Sequence, residues 1–251
     1  MGFKIIIPAR FGSSRLPGKP LLDIAGKPMI QHVFERASES DATDIIIATD
    51  DDRIAKAAEK FGADVCYTSD THRSGTDRLA EVVQKRNFSE EDIIINVQGD
   101  EPCLPALLIN QVAADLAQFK QADMASLFSR IKQEKQVFDP NVVKVVMDYQ
   151  GYALYFSRAP IPWMRDHFDQ SSALPPELPH YRHIGLYGYR AGFLKQYAQL
   201  SPCLLETEES LEQLRVLFHG KKIHMSEALI NAGHGVDTEA DLVEVRRLLT
   251  Q

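Results

Sequence analysis

The segment Pro8-Ala9-Arg10-Phe11-Gly12-Ser13-Ser14-Arg15-Leu16-Pro17-Gly18-Lys19-Pro20 combines residue types that bear directly on chemistry. Its glycines permit close backbone approach, and Arg10, Arg15 and Lys19 supply three cations, which suits a triphosphate. The competing reading is a surface loop whose basic residues are incidental. This is not a Walker A loop, because five residues separate Gly12 from Gly18 and Pro20 stands where a Ser or Thr hydroxyl would hold magnesium. Any metal ligands must then lie elsewhere. The segment also lacks G-x-G-x-x-G, which argues against a dinucleotide cofactor.

Asn96-Val97-Gln98-Gly99-Asp100-Glu101-Pro102 closes an apolar run, so Asp100 belongs just beyond a strand. A hard carboxylate there suits Mg²⁺, which takes one or two protein carboxylates and completes its shell with phosphate and water. A turn carboxylate capping the next helix is the alternative. Gly235-Val236-Asp237-Thr238 offers a second carboxylate just before a helix, with the cap again as the alternative.

His72-Arg73-Ser74-Gly75-Thr76-Asp77-Arg78 also precedes a helix, where amides and hydroxyls can meet a polar or anionic ligand. On spacing alone Ser74 or Thr76 reads first as a plain cap. Asp50-Asp51-Asp52 invites comparison with the D-x-D metal motif of glycosyltransferases, but it opens a helix, where the dipole alone favours acidic residues. Arg182-His183, Tyr187, Glu212-Gln213 and Arg215 are polar clusters; Glu212 and Arg215 read as an i,i+3 surface pair and His183 as a satisfied core histidine. There is no H-E-x-x-H, no G-x-S-x-G and no paired-cysteine motif, so zinc hydrolysis and α/β-hydrolase chemistry have no basis.

These residues need a scaffold. Short runs rich in Ile and Val at 3–7, 45–48, 64–67 and 93–97 alternate with amphipathic stretches at 29–40, 53–61, 75–85 and 105–119. That is the βαβ rhythm of a parallel sheet covered on both faces, and such sheets bind ligands at the carboxyl ends of their strands. Beyond about residue 120 the rhythm changes. Strand-like runs at 124–130, 142–147, 152–156 and 183–189 follow one another mostly without intervening helices, which predicts an antiparallel addition. The stretch 169–179, with three prolines and two serines, reads as an exposed loop. Helical periodicity returns at 191–200, 208–218 and 238–249, the last with Thr238 and Asp241 as a capping-box-like start.

Composition narrows the partners. With 28 Lys+Arg against 35 Asp+Glu the formal net charge is −7, a field that repels nucleic acid and anionic membrane, so phosphate binding must come from a local pocket. The three cysteines, Cys66, Cys103 and Cys203, are widely spaced and fit a reducing cytoplasm better than a disulfide framework. Pro8 and Arg10 interrupt the N-terminal apolar run, and no run approaches the ~20 residues of a membrane span, so neither secretion nor membrane insertion is expected. A length of 251 residues suits one large domain or two small ones.

Taken together, segments 8–20, 72–78, 96–102, 151–158, 182–190, 211–215 and 235–238 resemble, in order and across nearly the whole chain, the sugar nucleotidyltransferases, and among them the 3-deoxy-D-manno-octulosonate (KDO) cytidylyltransferase family. The resemblance implies an α/β fold: a mixed, mainly parallel Rossmann-like nucleotidyltransferase sheet with helices on both faces and an antiparallel dimerisation extension. It implies a single domain over 1–251, with a CTP-binding half to about residue 120 and a sugar-binding and dimerisation half from about 121. The implied activity transfers CMP from CTP to KDO with Mg²⁺, in a cytoplasmic homodimer, toward lipopolysaccharide. Arg10, Arg15 and Lys19 would grip the phosphates, with Ala9, Ser74, Gly75 and Arg78 near the cytosine. Gln98 would contact nucleotide and sugar, and Asp100 and Asp237 would hold the magnesium. Arg158, His183, Tyr187, Glu212 and Gln213 would line the sugar-acid pocket. Trp163-Met164-Arg165-Asp166 departs from the family's Trp-Asp-Arg-Asp.

Overall fold

In the computed structural model, which describes residues 2–12, 16–72, 74–168 and 178–250, Ile5 and Ile7 bury themselves on one face of the first strand and Ile6 on the other. That double burial is why the strands read as unbroken apolar runs rather than as alternating ones. Each fully buried isoleucine removes its side chain from water for roughly 1.5–3 kcal/mol.

The chain runs β1 (Lys4–Ala9), a 3-10 turn (Lys19–Leu21), a short hairpin of β2 (Asp23–Ile24) and β3 (Lys27–Pro28), α1 (Met29–Ser38), β4 (Asp44–Thr49), α2 (Asp52–Lys60) and β5 (Asp64–Tyr67). It continues through α3 (Gly75–Lys85), β6 (Ile93–Asn96), α4 (Ala106–Gln118), β7 (Met124–Arg130), α5 (Glu134–Phe138), β8 (Lys144–Met147) and β9 (Ala153–Ser157). It ends with β10 (Tyr181–Arg190), α6 (Ala191–Tyr197), α7 (Leu204–Glu209), α8 (Gln213–Phe218), β11 (Ile223–Glu227) and α9 (Glu239–Leu249).

The main sheet has the order β11-β7-β10-β6-β1-β4-β5. Among these strands only β10 opposes the rest, being antiparallel to both β6 and β7. Strand β8 attaches to the end of β10 and β9 to β8, both antiparallel. The sheet is therefore mainly parallel with an antiparallel addition, as expected. One buried cluster packs Ile5, Ile7, Ile47 and Ile95 against α1 and α4; a second packs Ile6, Ile46 and Ile94 against α3 and α6.

Several expectations shift at the element level. The helix expected over 208–218 is two helices, α7 and α8, because Ser210 adopts a left-handed φ of 51° between them. Strand β11 was not anticipated: Ile-His-Met-Ser-Glu carries little apolar periodicity, yet it pairs parallel with β7. Its buried His224 Nδ1 lies 2.7 Å from Asp115 Oδ2 on α4, and its ring stacks on Phe119 at 3.5 Å. The capping box at Thr238 and Asp241 is formed as expected. Of the expected loop 169–179, residues 169–177 lie outside the described residues.

Candidate active site

The parallel order brings the ends of β1 and β6 side by side, and the contact between them is close. A Cβ on Gly99 would stand 2.8 Å from the Pro8 carbonyl oxygen, so glycine is needed where the two loops cross. After β1 the chain turns back, with the Gly18 amide donating to the Phe11 carbonyl at 3.1 Å and Gly18 at φ 69°. The Arg53 guanidinium covers the Phe11 ring at 3.3 Å from its centroid, and Asp51 both caps α2 and holds that guanidinium. This brace delivers Lys19 to the sheet edge. Arg15 lies outside the described residues.

Lys19 makes the central contact. Its ammonium lies 2.6 Å from Asp100 Oδ2, 3.3 Å from Asp237 Oδ1 and 2.6 Å from the Val236 carbonyl oxygen to which it donates. The Val236 amide in turn donates to the Asp100 carbonyl at 2.8 Å. Neither aspartate serves as a helix cap. Pro105 precedes α4, and Thr238 caps α9, so both carboxylates are turned to the same cation. The concentration of negative charge shows in Glu101, whose carboxyl is pushed up to about 7 by burial and then by Asp100 and Asp237.

A cavity of about 440 Å³ opens beside this cluster. Its phosphate-suited end carries Ala9, Arg10, Lys19 and Asp100, with Asp237 at the rim. One wall is the start of α3, where Ser74, Gly75 and Arg78 enter the lining together with Gln98 from the β6 loop. Ser74 both caps α3, accepting from the Asp77 amide at 3.1 Å, and lines the cavity, so the two readings of that residue are not exclusive. Arg78 is buried, paired with Asp50 at 3.2 Å, and hydrogen-bonded to the Thr68 hydroxyl.

The opposite wall comes from β10 and the α7–α8 break. Tyr187 donates to Gln213 Oε1 at 3.2 Å, and Thr76 donates to Glu212 Oε2 at 3.0 Å. Burial pushes the Glu212 carboxyl above its usual value, although the Thr76 hydroxyl pulls it back. Glu212 does not pair with Arg215, as the i,i+3 spacing suggested; Arg215 is held by Glu206 at 2.8 Å. Among the described residues, Asn96 Oδ1, Tyr197 Oη and Gln213 Nε2 are buried without a hydrogen-bond partner, and all three residues line this cavity. Unpaired buried acceptors and donors on one wall are what a hydroxyl-rich ligand can satisfy.

Two expected residues stand off the cavity. His183 hydrogen-bonds Ser126 Oγ at 3.0 Å in the interior, and burial, then Arg182, holds its imidazole down at about 3. Arg158 donates to the backbone carbonyls of Glu209 at 2.7 Å and Pro140 at 2.8 Å. Conversely, Tyr197 lines the cavity although it belongs to no motif, and His72, Thr76, Asn96 and Tyr189 line it although their motifs gave them no place in the pocket. Thr76 carried a signal as a hydroxyl at a helix start, and Asn96 as the polar residue after three isoleucines.

Comparison with known proteins gives a consistent set of matches. A profile described as cytidylyltransferase matches residues 4–223. A protein of Idiomarina loihiensis called 3-deoxy-manno-octulosonate cytidylyltransferase is 55% identical over 249 residues, covering 99% of this chain and 98% of its own. One of Hahella chejuensis with the same name is 57% identical over 250 residues, covering 99% and 98%. A solved structure of CMP:2-keto-3-deoxy-manno-octonic acid synthetase complexed with CTP superposes with a TM-score of 0.89 at 42% identity, covering 100% of this chain and 99% of that one.

Proposed function

The chain belongs to the cytidylyltransferase family, and on that premise we propose that it transfers CMP from CTP to KDO, giving CMP-KDO and pyrophosphate. One observation carries the reading. A single cavity joins a cation-rich loop, a pair of convergent carboxylates and a wall of unpaired hydrogen-bonding groups. That arrangement accommodates a triphosphate at one end and a polyhydroxylated acid at the other.

In the reaction the anomeric hydroxyl oxygen of KDO attacks the α-phosphorus. The new O–P bond forms as the bond from the α-phosphorus to the bridging oxygen breaks, pyrophosphate departs with that oxygen, and the hydroxyl proton is released. Charge accumulates on the non-bridging oxygens and on the leaving pyrophosphate, so catalysis is chiefly positioning and charge stabilisation. Arg10 and Lys19 carry that role on the protein side, with Arg15 of the same loop. Ala9, Ser74, Gly75 and Arg78 receive the cytosine end, and Gln98 lies between nucleotide and sugar. Tyr187, Glu212 and Gln213 bind the sugar acid. His183 backs Tyr187, with ring centroids 5.4 Å apart, and Arg158 anchors Glu209 at the start of the break that carries Glu212, so both act on the sugar pocket through neighbours.

The donor set fits magnesium. Asp100 and Asp237 bring hard oxygens to a point that attracts a cation, and among the described residues no group of three or more His, Cys, Asp or Glu competes as a denser metal site. Mg²⁺ held by these two carboxylates would neutralise phosphate charge and acidify a hydroxyl bound to it.

The same reading takes residues 1–251 as a single nucleotidyltransferase domain, with CTP handled mainly before residue 120 and sugar and dimerisation after it. Exposed Leu154 on β9 and Leu204 on α7, 61% and 71% accessible, favour a homodimer through the second half. The free Cys66, Cys103 and Cys203 accord with a cytoplasmic enzyme. No described helix is long and apolar enough to cross a membrane.

Pyrophosphate release tests the proposal when the four nucleoside triphosphates are crossed with KDO, its 8-amino analogue and a sialic acid. Release confined to CTP with KDO is expected. Turnover of a different sugar acid with none for KDO overturns the substrate, and turnover with another nucleotide in place of CTP overturns the donor.

A further inference from the structure

The three consecutive aspartates at the end of β4 do different work. Asp51 caps α2 and Asp52 sits in its first turn, while Asp50 turns inward, its Oδ1 lying 3.2 Å from Arg78 Nη2. The other side of the same guanidinium donates to Thr68 Oγ1. Thr68 follows β5 directly, and its amide donates to the Thr49 carbonyl at 2.9 Å, which ties the ends of the two strands together. The guanidinium is thus held from the carboxyl ends of two adjacent parallel strands while lining the cavity from α3.

Arg78 is 3% exposed, a position where an uncompensated cation is costly. A guanidinium presents its N–H groups in a rigid plane, so the hydrogen bond from Nη1 to Thr68 and the ion pair of Nη2 with Asp50, whose Oδ1 is buried without a hydrogen-bond partner, together restrict how that plane sits. Neutralisation has a second effect. Arg10 lies near enough for its charge to act on Arg78, and without Asp50 the cavity would offer a second strongly cationic site for phosphate.

We propose that Asp50, with Thr68, is a positioning and specificity-determining residue: it neutralises Arg78 and fixes its plane, so that this end of the cavity takes the neutral, carbonyl-bearing base of the nucleotide rather than its phosphates. The inference rests on the proposed CTP-binding function, because it presumes that a nucleotide base lies against α3.

Calorimetric titration of the full chain in Mg²⁺ tests it, using CTP and, separately, inorganic tripolyphosphate. Asp50→Asn is expected to weaken CTP binding about tenfold or more, the scale of leaving a buried cation without its counter-charge, while tripolyphosphate binds as well as before or more tightly. Thr68→Val is expected to produce the same split to a smaller degree, and Asp50→Glu to restore part of the CTP affinity. Equal weakening of both ligands, or CTP binding within twofold of wild type in both Asp50→Asn and Thr68→Val, overturns the proposal. Melting curves identify a variant that has lost its fold, in which case the remaining variant decides. Wild-type protein that binds CTP but releases no pyrophosphate with KDO defeats the proposed sugar substrate and leaves the role of Asp50 standing.

Discussion

Lys19 Nζ lies 2.6 Å from Asp100 Oδ2, joining the loop after β1 to the loop after β6 at the mouth of the cavity. Asp237, 218 residues further along than Lys19, reaches the same ammonium at 3.3 Å. Lys19 is mostly buried, whereas Asp237 is mostly exposed, so the cluster has a protected side and an open one. In the proposed function, phosphates would take over the one ammonium as magnesium takes over the two carboxylates, an exchange that strands no charge.

Asp100→Ala should therefore remove the more sheltered of the two carboxylates and leave Lys19 paired with Asp237. We expect kcat/KM to fall by at least about 10²–10³, the scale of a lost electrostatic partner of the transition state. Excess chelator should abolish wild-type pyrophosphate release, with added Mg²⁺ restoring it. Retention of activity by Asp100→Ala would remove Asp100 from the metal-binding pair.

On the opposite wall, Glu212 is buried and accepts from Thr76. Its contribution should bear on the sugar acid, not the nucleotide. Glu212→Gln keeps the shape and removes the charge, so KM for KDO should rise about tenfold, the scale of a hydrogen bond to an ionised group, while KM for CTP stays within twofold. Steady-state kinetics varying each substrate in turn gives the answer, and equal rises in both constants would contradict the assignment.

Gly99 tests the packing between the site loops. An added methyl would sit 2.8 Å from the Pro8 carbonyl oxygen and 3.6 Å from Ala9 Cβ, against backbone that has no side-chain freedom to yield. Gly99→Ala should cost about 1–3 kcal/mol as overpacking, or roughly 2–6 °C in Tm for a chain of this size. Because Asp100 is the next residue, turnover should fall further than the loss of stability alone explains. An unchanged melting curve would mean that the loops separate readily.

How much of this was legible beforehand depends on the range of the interactions. The isoleucine runs at β1, β4 and β6 announce strands buried on both faces, since that pattern is local. Strand β11 does not announce itself, because its His224 is buried through Asp115 and Phe119, partners supplied by tertiary packing. The break at Ser210 is likewise hidden: serine has no intrinsic preference for a left-handed φ that would divide a helical periodicity. At the site, spacing could not separate Asp50, which pairs with Arg78, from Asp51, which caps a helix. Nor could it bring Asp237 to Lys19. Family resemblance supplied Lys19, Asp100 and Asp237 as a set, though not Asp50, and the fold accounts for why those three meet. The same resemblance grouped Arg158 and His183 with the pocket, whereas both make their hydrogen bonds outside its lining.

The loop feeding α3 should make stability depend on acid pH through Glu81. Its carboxylate accepts from the Ser69 amide at 2.8 Å and pairs with Lys85 at 2.8 Å and with His72, which lines the cavity. Burial pushes the carboxyl up, but hydrogen bonds from Lys85, Ser69 and His72 outweigh it and hold the group at about 2, below its usual 4.5. The folded state therefore binds this proton less readily than the unfolded chain does. The stabilisation is fully present above pH 4.5 and is lost as pH falls from there toward 2. Partial solvent screening leaves roughly 1–2 kcal/mol of the full linkage. Glu81→Gln should be less stable than wild type at pH 7, and the gap should narrow steadily below pH 4.5. Urea midpoints measured between pH 7 and pH 3 would reveal it. A gap that stays constant with pH would mean that Glu81 acts by shape and packing alone, and the proton linkage would be wrong.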